Sequence, residues 1–287
     1  MVPNVATIAA VRRARQAYLD QLCERVTLDC GVAHLLRDEA TVSPIPEANI
    51  VTDFAVQSMP HEAIREVDAF YRERGLQCSA IIPADGQAGD SMVAVMREAG
   101  FERFALHCAV FNSAGAAPPT RTDGVTILSA RSVRRAFQRL AMLRERGYAD
   151  ESIAVLRAGL FEQRLDDAAF EVFVAMRQGE PLGFVALQQV GQIGRLSDIY
   201  VDDSSRRQGV ATALVSYACA TARRWALRPV CVDVLAGARE ETAEGGCPPG
   251  ASDGGAMGLL QKAHFAFGGT INVFRRSEHA AGQGAWW

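Results

Sequence analysis

The segment Asp198–Leu214, DIYVDDSSRRQGVATAL, constrains the fold more than any other part of this chain. An apolar, strand-like run stops at two aspartates, two serines and two arginines follow, and a glycine opens an amphipathic helix. A strand that feeds directly into a helix is a building unit of layered α/β proteins. The junction also carries a chemistry. The first N–H groups of a helix have no partner within it, and with the helix dipole they make a site for an anion. Gly209 has no Cβ and so lets the backbone come close to a ligand, while Ala211 keeps the next turn slim. Arg206 and Arg207 add donors suited to phosphate oxygens. The stretch reads as a pyrophosphate cradle, without a Walker lysine and without the further glycines of a dinucleotide fingerprint. Its plainer alternative is a charged surface turn before an ordinary helix.

The rest of the chain limits whose phosphate this is. With 287 residues, 49% of them hydrophobic, the chain can build one large domain or two small ones. The formal net charge of -3 gives no sequence-wide basic surface, so nucleic acid is not an expected partner. No apolar run approaches the roughly 20 residues needed to span a bilayer. The N-terminal stretch VATIAAVRRARQAYLDQL places its arginines after a short apolar run, which reads as an amphipathic helix and not as a secretory signal. None of the seven cysteines forms a CxxC pair, and most lie in apolar runs such as ALHCAVF and PVCVDVL. They read as small buried hydrophobes in a reducing compartment, so a cytoplasmic location is expected. The five histidines are scattered without metal-ligand spacing, and no metal is expected.

Residues 113–124, SAGAAPPTRTDG, are small, polar and rich in Pro and Gly, and form the best linker in the chain. They separate a domain over 1–115 from one over 122–287. In the second, the pattern predicts a strand at Val125–Ser129, helices near Val133–Arg144 and Glu151–Gln163, and a hairpin about QGEP. A further strand, IGRLSDIYVDD, leads to a helix from about Gln208 to Trp225 with Val210, Leu214, Tyr217, Ala218 and Trp225 on one face. A buried strand PVCVDVLA, a long Gly/Pro-rich and acidic loop over 237–255, a short helix and a last strand complete it. The first domain begins with a helix near Ile8–Cys23, has strands around Val26–Leu36, then the irregular stretch VSPIPEANI and a helix near Glu62–Arg74. It closes on DSMVAVMREAGFERFALHCAVF, a helix, a turn and a strand. That layout is shared with AMGLLQKAHFAFGGTINVF at the other end of the chain, a weak repeat that points to two halves of one fold.

The run Arg206-Arg207-Gln208-Gly209-Val210-Ala211, with a strand before it and an amphipathic helix after it, resembles the Arg/Gln-x-x-Gly-x-Gly/Ala motif of the GNAT superfamily of N-acetyltransferases. The order of strands and helices over 124–276 is similar as well. The resemblance implies an α/β fold of α+β type, a mixed central sheet flanked by helices, in two GNAT-like halves. The first half resembles the degenerate half of tandem members, since nothing near PADGQAGD offers the phosphate motif. It further implies acetyl-CoA as acyl donor and an amine as acceptor, in a monomer or homodimer. Ile199, Tyr200 and Val201 would meet the pantetheine arm, and Arg206, Arg207, Gln208, Gly209, Val210, Ala211 and Thr212 the pyrophosphate. The amide of Ile199 would polarise the thioester carbonyl.

The chain departs from the family at three places, one of them the asparagine often found after the fifth strand, which VDVLAGARE lacks. The glutamate that serves many members as general base corresponds to Arg195, which cannot act as a base. The tyrosine that protonates the leaving thiolate corresponds to Leu260. An alkylamine is protonated at neutral pH, so some group or water must take its proton. By fold analogy Asp198, Asp233 and Tyr148 are in reach. Each also has a structural reading: Asp198 hydrogen-bonding a neighbouring strand or capping a bulge, Asp233 facing solvent or paired with an arginine, Tyr148 packed over the core. Asn49 is a candidate acceptor contact from the first half, or a turn residue. The function expected is an acyl-CoA-dependent N-acyltransferase acting on a primary amine of a small molecule or peptide by direct attack. The alternative is a non-catalytic acyl-CoA-binding or regulatory protein that kept the cradle and lost the acid and base.

Overall fold

The computed structural model describes residues 4–36, 49–56, 59–86, 89–112, 123–147, 151–236 and 253–276. In chain order these form α1 (Val5–Leu22), β1 (Cys23–Leu28), β2 (Gly31–Leu36), β3 (Ile50–Phe54), α2 (Pro60–Arg72), β4 (Ala80–Pro83), α3 (Asp90–Glu98) and β5 (Phe101–Phe111). The second half continues with β6 (Thr126–Ser129), α4 (Arg134–Arg146), α5 (Glu151–Gln163), β7 (Phe170–Arg177), β8 (Glu180–Val190), β9 (Ile193–Val201), α6 (Val210–Arg224), β10 (Val230–Ala236), α7 (Asp253–Lys262) and β11 (Phe265–Arg276). The elements follow from local signals. The Asn4 side chain accepts from the Ala6 and Thr7 N–H groups and caps α1. Pro60 opens α2, where its missing N–H costs nothing.

All eleven strands join one sheet, in the order β1-β2-β3-β4-β11-β5-β10-β9-β8-β7-β6. Only β3–β4 and β9–β10 pair in parallel. The sequence β–β–β–α–β–α–β occurs twice, as β1 to β5 and as β7 to β11. Each copy gives up its last strand. β11 lies between β4 and β5, and β5 lies between β11 and β10, so the last strand of each half pairs with the parallel strand of the other. The helix–strand resemblance between the two chain segments therefore becomes an antiparallel β5–β11 pair at the centre of the sheet, running from Phe101↔Arg276 to Phe111↔Phe265.

Alternation along β5 sorts the helices. Phe101 packs with α2 and α3, Ala109 with α6 and α7, and the opposite-facing Leu106 and Cys108 with α1. Helices α4 and α5 cover β7 and β8 on the α1 side through Phe137, Leu140, Ala158 and Phe161. The six described cysteines are free and buried, and burial pushes the thiols of Cys30, Cys78, Cys108, Cys219 and Cys231 up to about 12. Two details differ from the sequence reading. Ile50–Phe54 is a strand, masked in the sequence by its brevity and by the polar pair Thr52 and Asp53. Trp225 lies beyond the end of α6 and is 43% exposed, not part of the apolar face.

Candidate active site: a forked strand pair and an uncapped helix

The parallel strands β9 and β10 pair through Gly194↔Val230, Arg195↔Cys231 and Leu196↔Val232, and the ladder ends there. Beyond that point β9 bends. Ala186 faces Ser197 and Phe184 faces Tyr200, so the single residue Val185 opposes both Asp198 and Ile199. This is a β-bulge, and Asp198 adopts φ 54, the left-handed conformation that aspartate tolerates better than most residues. The two strands thus part at the place where the bulge re-aims the main chain of Ile199. The first half holds a counterpart. In β3, Asp53 has φ 51 at the matching step, two residues beyond the Val51↔Ile81 pair. There pairing resumes at Phe54↔Pro83, with the Ala84 N–H donating to the Phe54 carbonyl at 2.9 Å. The gap is closed in the first half and, among the described residues, open in the second.

Past Val201 the chain makes a short 3-10 turn, Asp203–Ser205, capped by the Asp202 side chain. Arg207 (φ 63) and Gly209 (φ 79) both take left-handed conformations, and α6 begins at Val210 with no side-chain cap. Its first N–H groups, at Val210, Ala211 and Thr212, are the ones a helix start leaves over. Arg206, Arg207, Gln208 and Gly209 are exposed around them. Arg206 pairs with the exposed Asp203 at 2.6 Å, an ion pair of little net worth that an anion can displace. Gln208 accepts from Arg177 at 2.7 Å and donates to the Ser204 carbonyl, which holds the loop from below. Ile199 and Val201 pack against the α6 core, and Tyr200 lies on Phe184.

The α1 side of the fork is lined by buried charge. Asp233, on β10 one residue past the last β9 pair, accepts from Arg15 of α1 at 2.6 Å and from Arg195 of β9 at 3.2 Å. Burial alone would raise its pKa, but the two guanidinium groups outweigh it and hold the carboxyl below its ordinary value. The same partnership keeps Arg195 above its ordinary value despite desolvation. Asp198 is bound by Arg144 of α4 at 2.9 Å, with both side chains buried, and Arg144 also lies over the Phe161 and Phe184 rings. Arg164, just after α5, stacks on Phe170 at 3.6 Å and on Tyr18 at 4.6 Å. Burial lowers its pKa, with Tyr18 and Asp198 acting in the opposite sense.

The structure brings together Asp198, Ile199, Tyr200, Val201, Asp233 and the Arg206–Thr212 run, but gives both aspartates arginine partners. Leu260 is 1% exposed and packs in the α6–α7 core. Asn49 is buried at the head of β3, where its carbonyl accepts from Ser79. Four strands separate β3 from β9, about 24 Å at the usual spacing, so Asn49 does not join the fork. Tyr148, the linker residues 113–122 and residues 237–252 of the long loop lie outside the described residues. Sequence reading did not foresee Arg15, Arg144 and Arg164. Their only local signal is an arginine on a helical stretch that is otherwise apolar on that side. No group of three or more potential metal ligands occurs among the described residues, and no described helix is long and apolar enough to cross a membrane.

An N-acetyltransferase type of α/β fold is what the element order and the forked pair define. Residues 135–238 match the model of the acetyltransferase (GNAT) family. Solved structures carry the likeness across nearly the whole chain. A GCN5-related N-acetyltransferase from Kribbella flavida superimposes with a TM-score of 0.62 at 13% identity, covering 96% of this chain and 97% of its own. Another from Sphaerobacter thermophilus gives 0.57 at 15% identity, covering 91% and 84%. A conserved protein of unknown function from Staphylococcus epidermidis gives 0.60 at 13% identity, covering 91% and 96%. At such identities the likeness is one of fold. No curated protein matches the sequence.

Proposed function

We propose that the chain is an acyl-CoA-dependent N-acyltransferase that moves an acetyl group from acetyl-CoA to a primary amine in a ternary complex. The observation that carries this reading is the open fork between β9 and β10, ending at an uncapped helix started by left-handed Gly209. A thin pantetheine arm fits the gap left by a broken parallel ladder, beside Ile199, Tyr200 and Val201. A pyrophosphate fits the leftover N–H groups of Val210, Ala211 and Thr212, with Arg206 and Arg207 beside it. The neutral amine attacks the thioester carbonyl, the Ile199 amide stabilises the developing oxyanion, and the C–S bond breaks as the N–C bond forms. Asp233 is held ionised between two arginines and Asp198 is bound by Arg144, so in this reading neither is the base, and water takes the amine proton. The two halves form a tandem pair, the first closing the acceptor side and binding no CoA, because its own fork is zipped by Phe54 and Ala84.

Calorimetry with CoA tests the reading. Gly209→Val forces a β-branched residue into φ 79 and should abolish binding. Arg206→Ala should weaken it by about 1–2 kcal/mol, the scale of a charge-assisted bond. Unchanged affinity in both variants overturns the assignment. A second reading, a CoA-binding protein without turnover, draws on Arg195 and Leu260 at the family's base and acid positions. Release of free thiol from acetyl-CoA with a panel of amines separates the two.

A further inference from the structure

Arg164 Nη1 and Nη2, Gln188 Oε1 and Ser197 Oγ are buried and make no hydrogen bond within the described residues. Proteins leave few buried polar groups in that state, because each has given up water for nothing. These four atoms belong to three residues on the same face of the sheet. Phe170, Gln188 and Arg195 form one row across β7, β8 and β9, and Val172, Ala186 and Ser197 form the next. Arg164 lies over the Phe170 end of the first row, with Tyr18 of α1 on it as well. Tyr18 in turn lies 5.5 Å from the Arg195 guanidinium. Ser197 is the residue immediately before the bulge at Asp198 and Ile199. The next row toward the bulge carries the small residues Ala186 and Ser197.

We propose that this seam between α1 and the fork anchors the acceptor by a carboxylate, which the two terminal nitrogens of Arg164 and the Ser197 hydroxyl bind, so that the acceptor class is an amino acid with its reacting amine at the bulge. The inference rests on the acyl-transfer reading and names its substrate class. Arg164 is 8% exposed, has two aromatic partners and no carboxylate partner among the described residues. Rings on its faces leave its edge for polar partners, and two N–H groups in one plane match the two oxygens of a carboxylate. A single unpartnered cation also matches a monoanion better than a phosphate dianion. Gln188 Oε1 supplies an acceptor for an N–H of the same ligand. Arg164 lies over the Phe170 end of the row that reaches β9 at Arg195, four residues and about 13 Å along a strand before Ile199, which favours an amine several bonds removed from the Arg164-bound carboxylate.

Two measurements on the full chain test this. The first is thermal unfolding of the wild type and of Arg164→Met, with and without glycine, 4-aminobutyrate or 6-aminohexanoate. An unpartnered buried charge kept for binding costs stability, so the variant should melt at the same temperature or higher, and the rise that the longer amino acids give the wild type should vanish in it. A variant that melts well below the wild type makes Arg164 a structural residue and overturns the proposal. So does a wild type that none of the carboxylates raises, or a rise that the variant keeps. The second is thiol release from acetyl-CoA with 4-aminobutyrate, butylamine and 3-aminopropylphosphonate. Turnover of the carboxylate at least 100-fold above the other two supports the proposal, and equal turnover overturns it. Calorimetric affinity for acetyl-CoA should be the same in wild type and variant. Loss of that affinity in the wild type would sink the acyl-transfer reading, while the unfolding measurement still judges the carboxylate site.

Discussion

Replacing Asp233 by asparagine separates a structural weld from a catalytic base. The Asp233 side chain is 1% exposed and meets arginines from both halves, Arg15 of α1 and Arg195 of β9, at 2.6 and 3.2 Å. Removing one partner of a buried charge cluster costs about 3–5 kcal/mol, because the cations left behind have lost both water and counter-charge. Asparagine keeps the shape and one acceptor oxygen, which puts the expected loss near the lower end, about 3 kcal/mol. For a chain of this size that lowers the melting temperature by about 6–12 °C. Urea unfolding followed by circular dichroism at pH 7 reads it as a shifted midpoint with an unchanged slope. The pH dependence adds a second reading. The folded pKa of Asp233 lies below its ordinary value, so its contribution is fully present above the unfolded value near about 4 and is lost as pH falls through the lower folded value. The difference between wild type and variant should therefore shrink in acid. A variant within about 1 kcal/mol of wild-type stability, below the scale of a broken buried pair, that had nonetheless lost turnover would refute the weld and restore Asp233 as the base.

Two further outcomes follow from the same geometry. Arg144→Met strips Asp198 of its 2.9 Å partner and loosens the bulge that aims the Ile199 amide. Turnover should fall at least about 10-fold, the scale of one partly lost oxyanion donor, with CoA affinity little changed. The carbonyl resonance of bound carbon-13-labelled acetyl-CoA should move toward its free value, and an unmoved resonance would count against the coupling. A fragment beginning near Thr122 lacks β5, which leaves the adjacent edges of β10 and β11 without their shared neighbour. It should aggregate alone and recover CoA binding only when residues 1–112 are supplied in trans. A soluble, fully active fragment would show that the halves are separate modules.

The strand–helix junction proposed as a phosphate cradle was legible because everything that forms it is contiguous. A strand end, a left-handed glycine and the first turn of a helix are neighbours in sequence, so their residue types announce them. Periodicity likewise marked the helices and the longer strands, and the likeness of DSMVAVMREAGFERF to AMGLLQKAHFAF marked the two related units. Tertiary structure decided what lies between. No local pattern says that β11 pairs with β4 and β5 instead of with its own half, since an antiparallel edge accepts any strand whose apolar alternation fits. Ile50–Phe54 is a strand only because β2 and β4 flank it. The fates of Asp198 and Asp233 rest on Arg144, which is 54 residues from its partner, and on Arg15, which is 218 residues away. A carboxylate in sequence is equally a base or a counter-ion, and only the cation that the fold sets beside it decides which.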